Sequence, residues 1–190
     1  SEGGTNIILG GLGDDLIDAA QGSNVVLGDN GVANFGFGGS WDIRSDTSTG
    51  GGADEISGGA DNIILGGFGA DAITLGGGAN TVLGDNGTVE RDADGIVLRV
   101  FTTDADASTG GDDEIVLGNG VNVVLGGVGA DVIDAPGGVN IILGDSGEVN
   151  VGGDVFTTVP HEGGDDVITA GSNNTILGGA GADRITAQDG

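Results

Sequence analysis

An aliphatic residue recurs every nine positions along most of the chain. Ile115, Val124, Ile133 and Ile142 keep this spacing, as do Ile8, Ile17 and Val26, and Ile64, Ile73 and Val82. The steps from Ile56 to Ile64 and from Ile168 to Ile176 are one residue shorter. A helix repeats its apolar positions about every 3.6 residues and a half-buried strand every second residue. A period of nine therefore predicts a turn followed by a short strand, repeated, with one inward aliphatic per strand.

Two positions before each of these aliphatics stands a polar residue, and its identity alternates. The series runs Asn6, Asp15, Asn24, Asp54, Asn62, Asp71, Asn80, Asp113, Asn122, Asp131, Asn140, Asp166, Asn174, Asp183. The structural unit is thus a coil of two nonapeptides, with Asp turns along one edge and Asn turns along the other. Roughly seven such coils fit the chain. Three longer pieces, at about 28–51, 84–111 and 144–164, each replace an Asp turn in every second coil. They begin alike, with Gly28-Asp29-Asn30-Gly31, Gly84-Asp85-Asn86-Gly87 and Gly144-Asp145-Ser146-Gly147. The second carries two strand-like runs around Asp94-Gly95, which predicts a β-hairpin, and the other two are read the same way. A super-repeat of about sixty residues results. The rhythm is entered and left without a capping sequence, which predicts a section of a longer array.

Period two within a strand sends the neighbours of the inward aliphatic outward. On the Asn strands these are Ile7, Val25, Ile63, Val123 and Ile141, an apolar stripe. On the Asp strands they are Leu16, Glu55, Ala72, Glu114, Val132, Val167 and Arg184, a mixed set. The stripe must be covered, either by the hairpins or by another chain. The second possibility predicts self-association into a fibre or layer.

Composition sharpens this picture. The chain has 45 glycines, no Cys, Met or Tyr, only four basic residues and a formal charge of −26. So large an imbalance usually gives disorder. A narrow aliphatic column has little to set against the cost of fixing each residue, about 1–2 kcal/mol. Regular folding here calls for something that neutralises the carboxylates. Disulfides and thiolate metal sites are excluded by the lack of Cys. Nucleic acid is excluded as a partner by the acidic balance, and no apolar run approaches the roughly 20 residues of a membrane span.

Four segments show the motif in full: Gly10-Gly11-Leu12-Gly13-Asp14-Asp15, Gly66-Gly67-Phe68-Gly69-Ala70-Asp71, Gly126-Gly127-Val128-Gly129-Ala130-Asp131 and Gly178-Gly179-Ala180-Gly181-Ala182-Asp183. Glycine allows backbone conformations that aim several carbonyls one way, and Asp adds a carboxylate. Calcium takes six to eight such oxygens at about 2.3–2.6 Å. Through these motifs the chain resembles the RTX calcium-binding nonapeptide-repeat family over nearly its whole length. The resemblance implies a right-handed parallel β-roll with calcium held between successive turns, in a secreted bacterial protein exported by type I secretion. It assigns ligation to Asp15, Asp71, Asp131 and Asp183 with Gly11, Gly13, Gly67, Gly69, Gly127, Gly129, Gly179 and Gly181. It extends to Asp54, Asp113 and Asp166, where an insertion opens the turn, with Asp29, Asp85 and Asp145 flanking the opening as further candidates. The competing reading makes these Asp residues simple turn formers. A row of stacked, unpaired carboxylates would repel itself, which favours ligation. The chain departs from the family on its Asn edge, where neutral amides predict a hydrogen-bonded ladder without ions.

Other constellations carry less. His161 is the single histidine and has no Ser, Cys or second His near it in sequence. Phe35, Phe37 and Trp41 are expected to pack the first hairpin onto the roll. Paired acids such as Asp112-Asp113 recur with the coil, as a unique catalytic pair would not. The sequence is therefore read as non-enzymatic: a calcium-stabilised segment of an extracellular adhesin, surface-layer or fibre protein. A carbohydrate-binding or accessory roll of a secreted enzyme is the alternative.

Overall fold

The structure, a computed structural model, describes residues 4–19, 21–35, 41–48, 50–104, 106 and 108–188, with Trp41 described by its backbone alone. Phe37 lies outside the described residues. These form strands and turns, with no helix among them.

The Asn strands make one parallel sheet: β1 (Thr5–Leu9), β3 (Ser23–Leu27), β7 (Ile63–Gly67), β9 (Thr81–Asp85), β13 (Gly120–Gly127), β15 (Gly138–Asp145) and β19 (Thr175–Leu177), in that spatial order. The Asp strands make a second: β2 (Leu16–Ala19), β6 (Glu55–Gly58), β8 (Ala72–Leu75), β12 (Glu114–Leu117), β14 (Val132–Ala135), β18 (Val167–Ala170) and β20 (Arg184–Ala187). Each sheet has seven strands, so the chain winds through seven coils of a β-roll. The nonapeptide fixes register directly. Ile17, Ile56, Ile73, Ile115, Ile133, Ile168 and Ile185 are successive partners across the second sheet.

Ile17, Ile56, Ile73, Ile115, Ile133 and Ile168, with Val26, Ile64, Val82, Val124 and Ile142 from the first sheet, fill the space between the layers, while Ile185 in the last coil is exposed. All but the outermost are sealed from water, and each such side chain contributes about 1.5–3 kcal/mol by burial. The two coil steps that are one residue short close differently from the rest. Asp61 and Asn173 take positive φ there, 57° and 63°, where longer turns use glycine. Asp and Asn enter this left-handed region at lower cost than other side chains.

The three insertions supply β4 (Gly31–Ala33) and β5 (Trp41–Ser45), β10 (Gly87–Arg91) and β11 (Val97–Thr102), and β16 (Gly147–Asn150) and β17 (Val155–Thr157). Each pair is an antiparallel hairpin. The hairpins also join one another, β5 to β10 and β11 to β16, giving one six-stranded sheet. Ile43, Val89, Val100 and Val149 point from it onto Val25, Leu27, Ile63, Leu65, Leu83, Val123, Leu125 and Leu143 of the first parallel sheet. A glycine opens each hairpin because the chain passes so close to that layer. A Cβ at Gly31, Gly87 or Gly147 would strike the tip of Leu27, Leu83 or Leu143.

Of the two covers open to the outer stripe, this third layer supplies the intramolecular one. Val25, Ile63 and Val123 are 3%, 9% and 9% exposed beneath it, Ile141 is partly buried, and Ile7 in the first coil is half exposed, at 49%. The hairpins meet edge to edge and roof most of the stripe themselves. Phe35 packs against this second core, with the Arg91 guanidinium 5.1 Å from its ring centre.

Candidate calcium edge

The Asp turns stack into a column because the strands they lead into are parallel and in register. Within the column the backbone N–H of each Asp donates to the Oδ1 of the Asp one coil further on. The bonds run Asp15 to Asp54 at 2.8 Å, Asp54 to Asp71 at 2.7 Å, Asp71 to Asp113, Asp113 to Asp131 and Asp131 to Asp166 at 2.8 Å each, and Asp166 to Asp183 at 3.1 Å. The structure thus brings seven sequence-assigned aspartates into one line: Asp15, Asp54, Asp71, Asp113, Asp131, Asp166 and Asp183.

The other oxygen of these carboxylates is in a different state. Oδ2 of Asp15, Asp54, Asp71, Asp113, Asp131 and Asp166 is buried and receives no hydrogen bond. Around it stand more acceptors. A Cβ at Gly66 would run into both Asp71 Oδ2 and the Gly84 carbonyl oxygen, and one at Gly126 into Asp131 Oδ2 and the Gly144 carbonyl oxygen. Only glycine lets carboxylate and carbonyl crowd together in this way. The eight motif glycines, Gly11, Gly13, Gly67, Gly69, Gly127, Gly129, Gly179 and Gly181, all have positive φ, between 92° and 143°. That conformation is nearly closed to residues with a Cβ.

Buried acceptors facing acceptors are unfavourable without a donor or cation among them. The titration behaviour reflects this. Burial pushes the carboxyls up from 3.8, to about 6 for Asp54, about 7 for Asp166, about 8 for Asp131 and about 9 for Asp71. Asp113 is raised well above 3.8 by burial and by the charges of Asp85, Asp131 and Asp71. Among the described residues no three Asp, Glu, His or Cys side chains gather into a metal-holding group. An ion in this column would therefore draw most of its oxygens from turn carbonyls, with one carboxylate oxygen per turn. Hard, flexible oxygen coordination of that kind suits calcium.

Asp29, Asp85 and Asp145 stand where the insertions interrupt the turns, and their environment differs. Both carboxylate oxygens accept backbone N–H groups. Asp29 bonds Gly52 at 3.2 Å and Phe68 at 2.5 Å, and Asp85 bonds Gly111 at 3.1 Å and Val128 at 2.5 Å. Asp145 bonds Gly164 at 3.1 Å and also Ala180. These three side chains stitch the opened turn to the intact turn of the neighbouring coil. Burial raises them too, Asp85 to about 8 and Asp145 to about 6. Sequence reasoning missed a further row. Asp14, Asp112 and Asp165 accept the N–H of Ala53, Ala130 and Ala182 at 3.0, 2.8 and 2.7 Å on the rim of the same edge. The doubled acid in Gly-Asp-Asp was their signal.

The opposite edge is a ladder of amides. Asn6 Nδ2 donates to Asn24 Oδ1 at 2.7 Å, Asn24 to Asn62 and Asn62 to Asn80 at 3.1 Å, Asn80 to Asn122 at 3.0 Å, Asn122 to Asn140 at 2.7 Å and Asn140 to Asn174 at 2.8 Å. The same Nδ2 groups reach turn carbonyls such as Gly59 O at 2.9 Å and Gly76 O at 3.2 Å. No amide atom of this column is buried without a partner. His161 lies in an exposed turn.

No helix of the described residues is long and apolar enough to cross a membrane. The chain matches no curated protein and no solved structure. The model of the RTX calcium-binding nonapeptide repeat, in four copies, matches residues 2–32, 58–88, 116–148, 162–185 and 170–190. Repeats of this family bind calcium at multiple sites and are structural, and the proteins that carry them are typically secreted by bacteria. The stacked Gly-rich turns, the line of donorless carboxylate oxygens and this match agree: the chain belongs to the RTX calcium-binding nonapeptide-repeat family.

Proposed function

We propose that the chain is a calcium-stabilised structural repeat segment of an extracellular bacterial protein of adhesin, surface-layer or fibre type, and that it folds when calcium fills its Asp edge. The observation that supports this most is the row of six buried Oδ2 atoms without a donor. Under this reading Asp15, Asp54, Asp71, Asp113, Asp131, Asp166 and Asp183 supply one carboxylate oxygen each. The turns around Gly11, Gly13, Gly67, Gly69, Gly127, Gly129, Gly179 and Gly181 supply carbonyls. Asp29, Asp85 and Asp145 keep the interrupted turns in line through their paired N–H bonds and add negative charge beside the ions.

Metal binding then becomes folding free energy. Where calcium is scarce, as in the cytoplasm, a polyanion of charge −26 stays extended and exportable. Outside the cell the ions neutralise the column and the three layers close. Self-association into a fibre or layer remains part of this proposal. An accessory sugar-binding role has weaker support. Arg99 lies 4.1 Å from the Phe101 ring centre on the outer sheet, but Glu148 holds it at 2.6 Å and Glu90 at 3.5 Å.

Far-ultraviolet circular dichroism tests the proposal. Strand structure is expected in millimolar calcium and not in chelator, with magnesium a poor substitute because it demands tight octahedral geometry. Equal strand content in chelator would overturn it.

A further inference from the structure

The neck of the second hairpin differs from the other two. In all three, the hairpin leaves the roll through an Asp followed by a small polar residue: Asp29-Asn30, Asp85-Asn86 and Asp145-Ser146. The carbonyl of that second residue accepts the N–H of the returning strand's successor: Asp46, Thr103 and Thr158 respectively. The next position along is Thr47 in the first neck, Val159 in the third and Asp104 in the second. Asp104 is 7% exposed and Asn86 is fully buried.

The two side chains meet. Asn86 Nδ2 lies 2.6 Å from Asp104 Oδ2, and Thr109 Oγ1 donates to Asp104 Oδ1 at 2.8 Å. Two residues beyond Thr109, Gly111 N–H binds Asp85. Asp85 and Asp104 thus close on the same short segment from its two sides, and the Asp104 charge adds to the rise that burial imposes on Asp85. Asn86 Oδ1 completes the arrangement. It is buried and receives no hydrogen bond. So the second neck holds two buried carboxylates and one donorless amide oxygen, with no salt bridge to any of them among the described residues.

We propose that the neck of the second hairpin is a separate divalent-cation site, built from Asp104, Asn86 Oδ1 and Asp85 and distinct from the Asp column. A hard cation there satisfies the orphan amide oxygen and offsets two charges that burial disfavours. It ties the returning strand β11 to the roll at the centre of the three-hairpin sheet. The third neck has no acid beside its Asp145, the second acid of the first neck, Asp46, is exposed, and neither holds such an ion.

This site rests on the reading of the roll as calcium-bound, and one experiment separates the two. Native mass spectrometry of the whole chain saturated with calcium counts its ions. Asp104→Asn and Asn86→Ala are each expected to carry one ion fewer than the parent, with strand content kept. A parent that binds no calcium sinks the reading of the column. A parent that binds calcium, with both variants carrying as many ions, sinks the neck site alone. Should either variant fail to fold, a crystal of the parent grown in calcium decides instead. Ion density within about 2.6 Å of Asn86 Oδ1 upholds the site, and a neck without it overturns the site.

Discussion

The two edges of the roll differ by one atom per turn. Both place a short polar side chain at the same nonapeptide position, and in both its Oδ1 accepts the backbone N–H of the preceding coil, at 2.8 Å for Asp71 to Asp113 and 3.0 Å for Asn62 to Asn80. The second head-group atom then decides. In Asn it is NH2, which donates to the next amide and to its own turn carbonyls. In Asp it is an oxygen, which meets those carbonyls with nothing to give. One edge is closed by its own hydrogen bonds, each worth about 0.5–1.5 kcal/mol. The other leaves buried acceptors and charge that only protons or a metal can relieve. Under the proposed function, dependence on calcium is a property of one edge, and the alternation of Asp and Asn is what confines it there.

The largest effect should come from exchanging that chemistry wholesale. Asp54, Asp71, Asp113, Asp131 and Asp166 changed together to Asn would place an NH2 where each orphan oxygen stands. The expected chain folds in chelator, with circular dichroism insensitive to calcium. If it stays unfolded without calcium, the column is more than a line of missing donors.

Protons should do part of what calcium does. The folded-state pKa values of Asp54, Asp166, Asp131 and Asp71 lie at about 6, 7, 8 and 9, above the ordinary 3.8. A raised folded pKa contributes stability that is fully present below the unfolded value and is lost as pH rises through the folded one. In chelator, strand structure is therefore expected below about pH 4 and should melt away between there and about pH 9. In calcium, strand structure is expected to persist to high pH as well, since the ion takes over as the protons leave. A pH titration of circular dichroism in both conditions checks that the two curves meet in acid and part as pH rises.

The reverse single exchange is smaller. Asn122→Asp removes the 2.7 Å donation to Asn140 and sets an oxygen beside Gly118 O, to which the amide now donates at 3.5 Å. A buried unsatisfied group costs about 1–3 kcal/mol, and a charged one more. The melting temperature in saturating calcium should fall at neutral pH and recover on mild acidification. No loss would mean that the Asn edge also takes ions.

The two-layer roll was legible in the sequence because every coil repeats the same instruction. Ile56, Ile73 and Ile115 mark the inner face, and the Asp/Asn alternation separates the two sheets. The third layer was not legible in the same way. Alternation within 41–45 or 97–102 says that a strand forms, but β5 pairs with β10 through residues more than forty positions apart, with no shared repeat to set their register. The bulge at Glu90 and Arg91 adds a shift that no pattern announces. The stacked Asp edge was legible as a list of aspartates. What the list could not separate was Asp71, with one donorless oxygen, from Asp85, with both oxygens bonded to N–H groups.

The rim of the Asp edge supplies the smallest test. Asp112 lies one residue from Asp113, yet it is solvent-facing where Asp113 is 2% exposed. Its Oδ1 accepts Ala130 N–H at 2.8 Å, much as Asp113 Oδ1 accepts Asp71 N–H. Water can replace that bond, and it hydrates the carboxylate whether or not calcium is present. Asp112→Asn should therefore shift stability by no more than about 0.5 kcal/mol, the usual range for surface substitutions, and leave the number of bound calcium ions unchanged. Asp113→Asn, one position along, should remove an ion and lower the melting temperature in calcium. Paired calorimetric titrations of the two variants measure both quantities. If Asp112→Asn lost an ion and Asp113→Asn did not, ligation would belong to the outer row, and the donorless oxygens of the inner column would need another explanation.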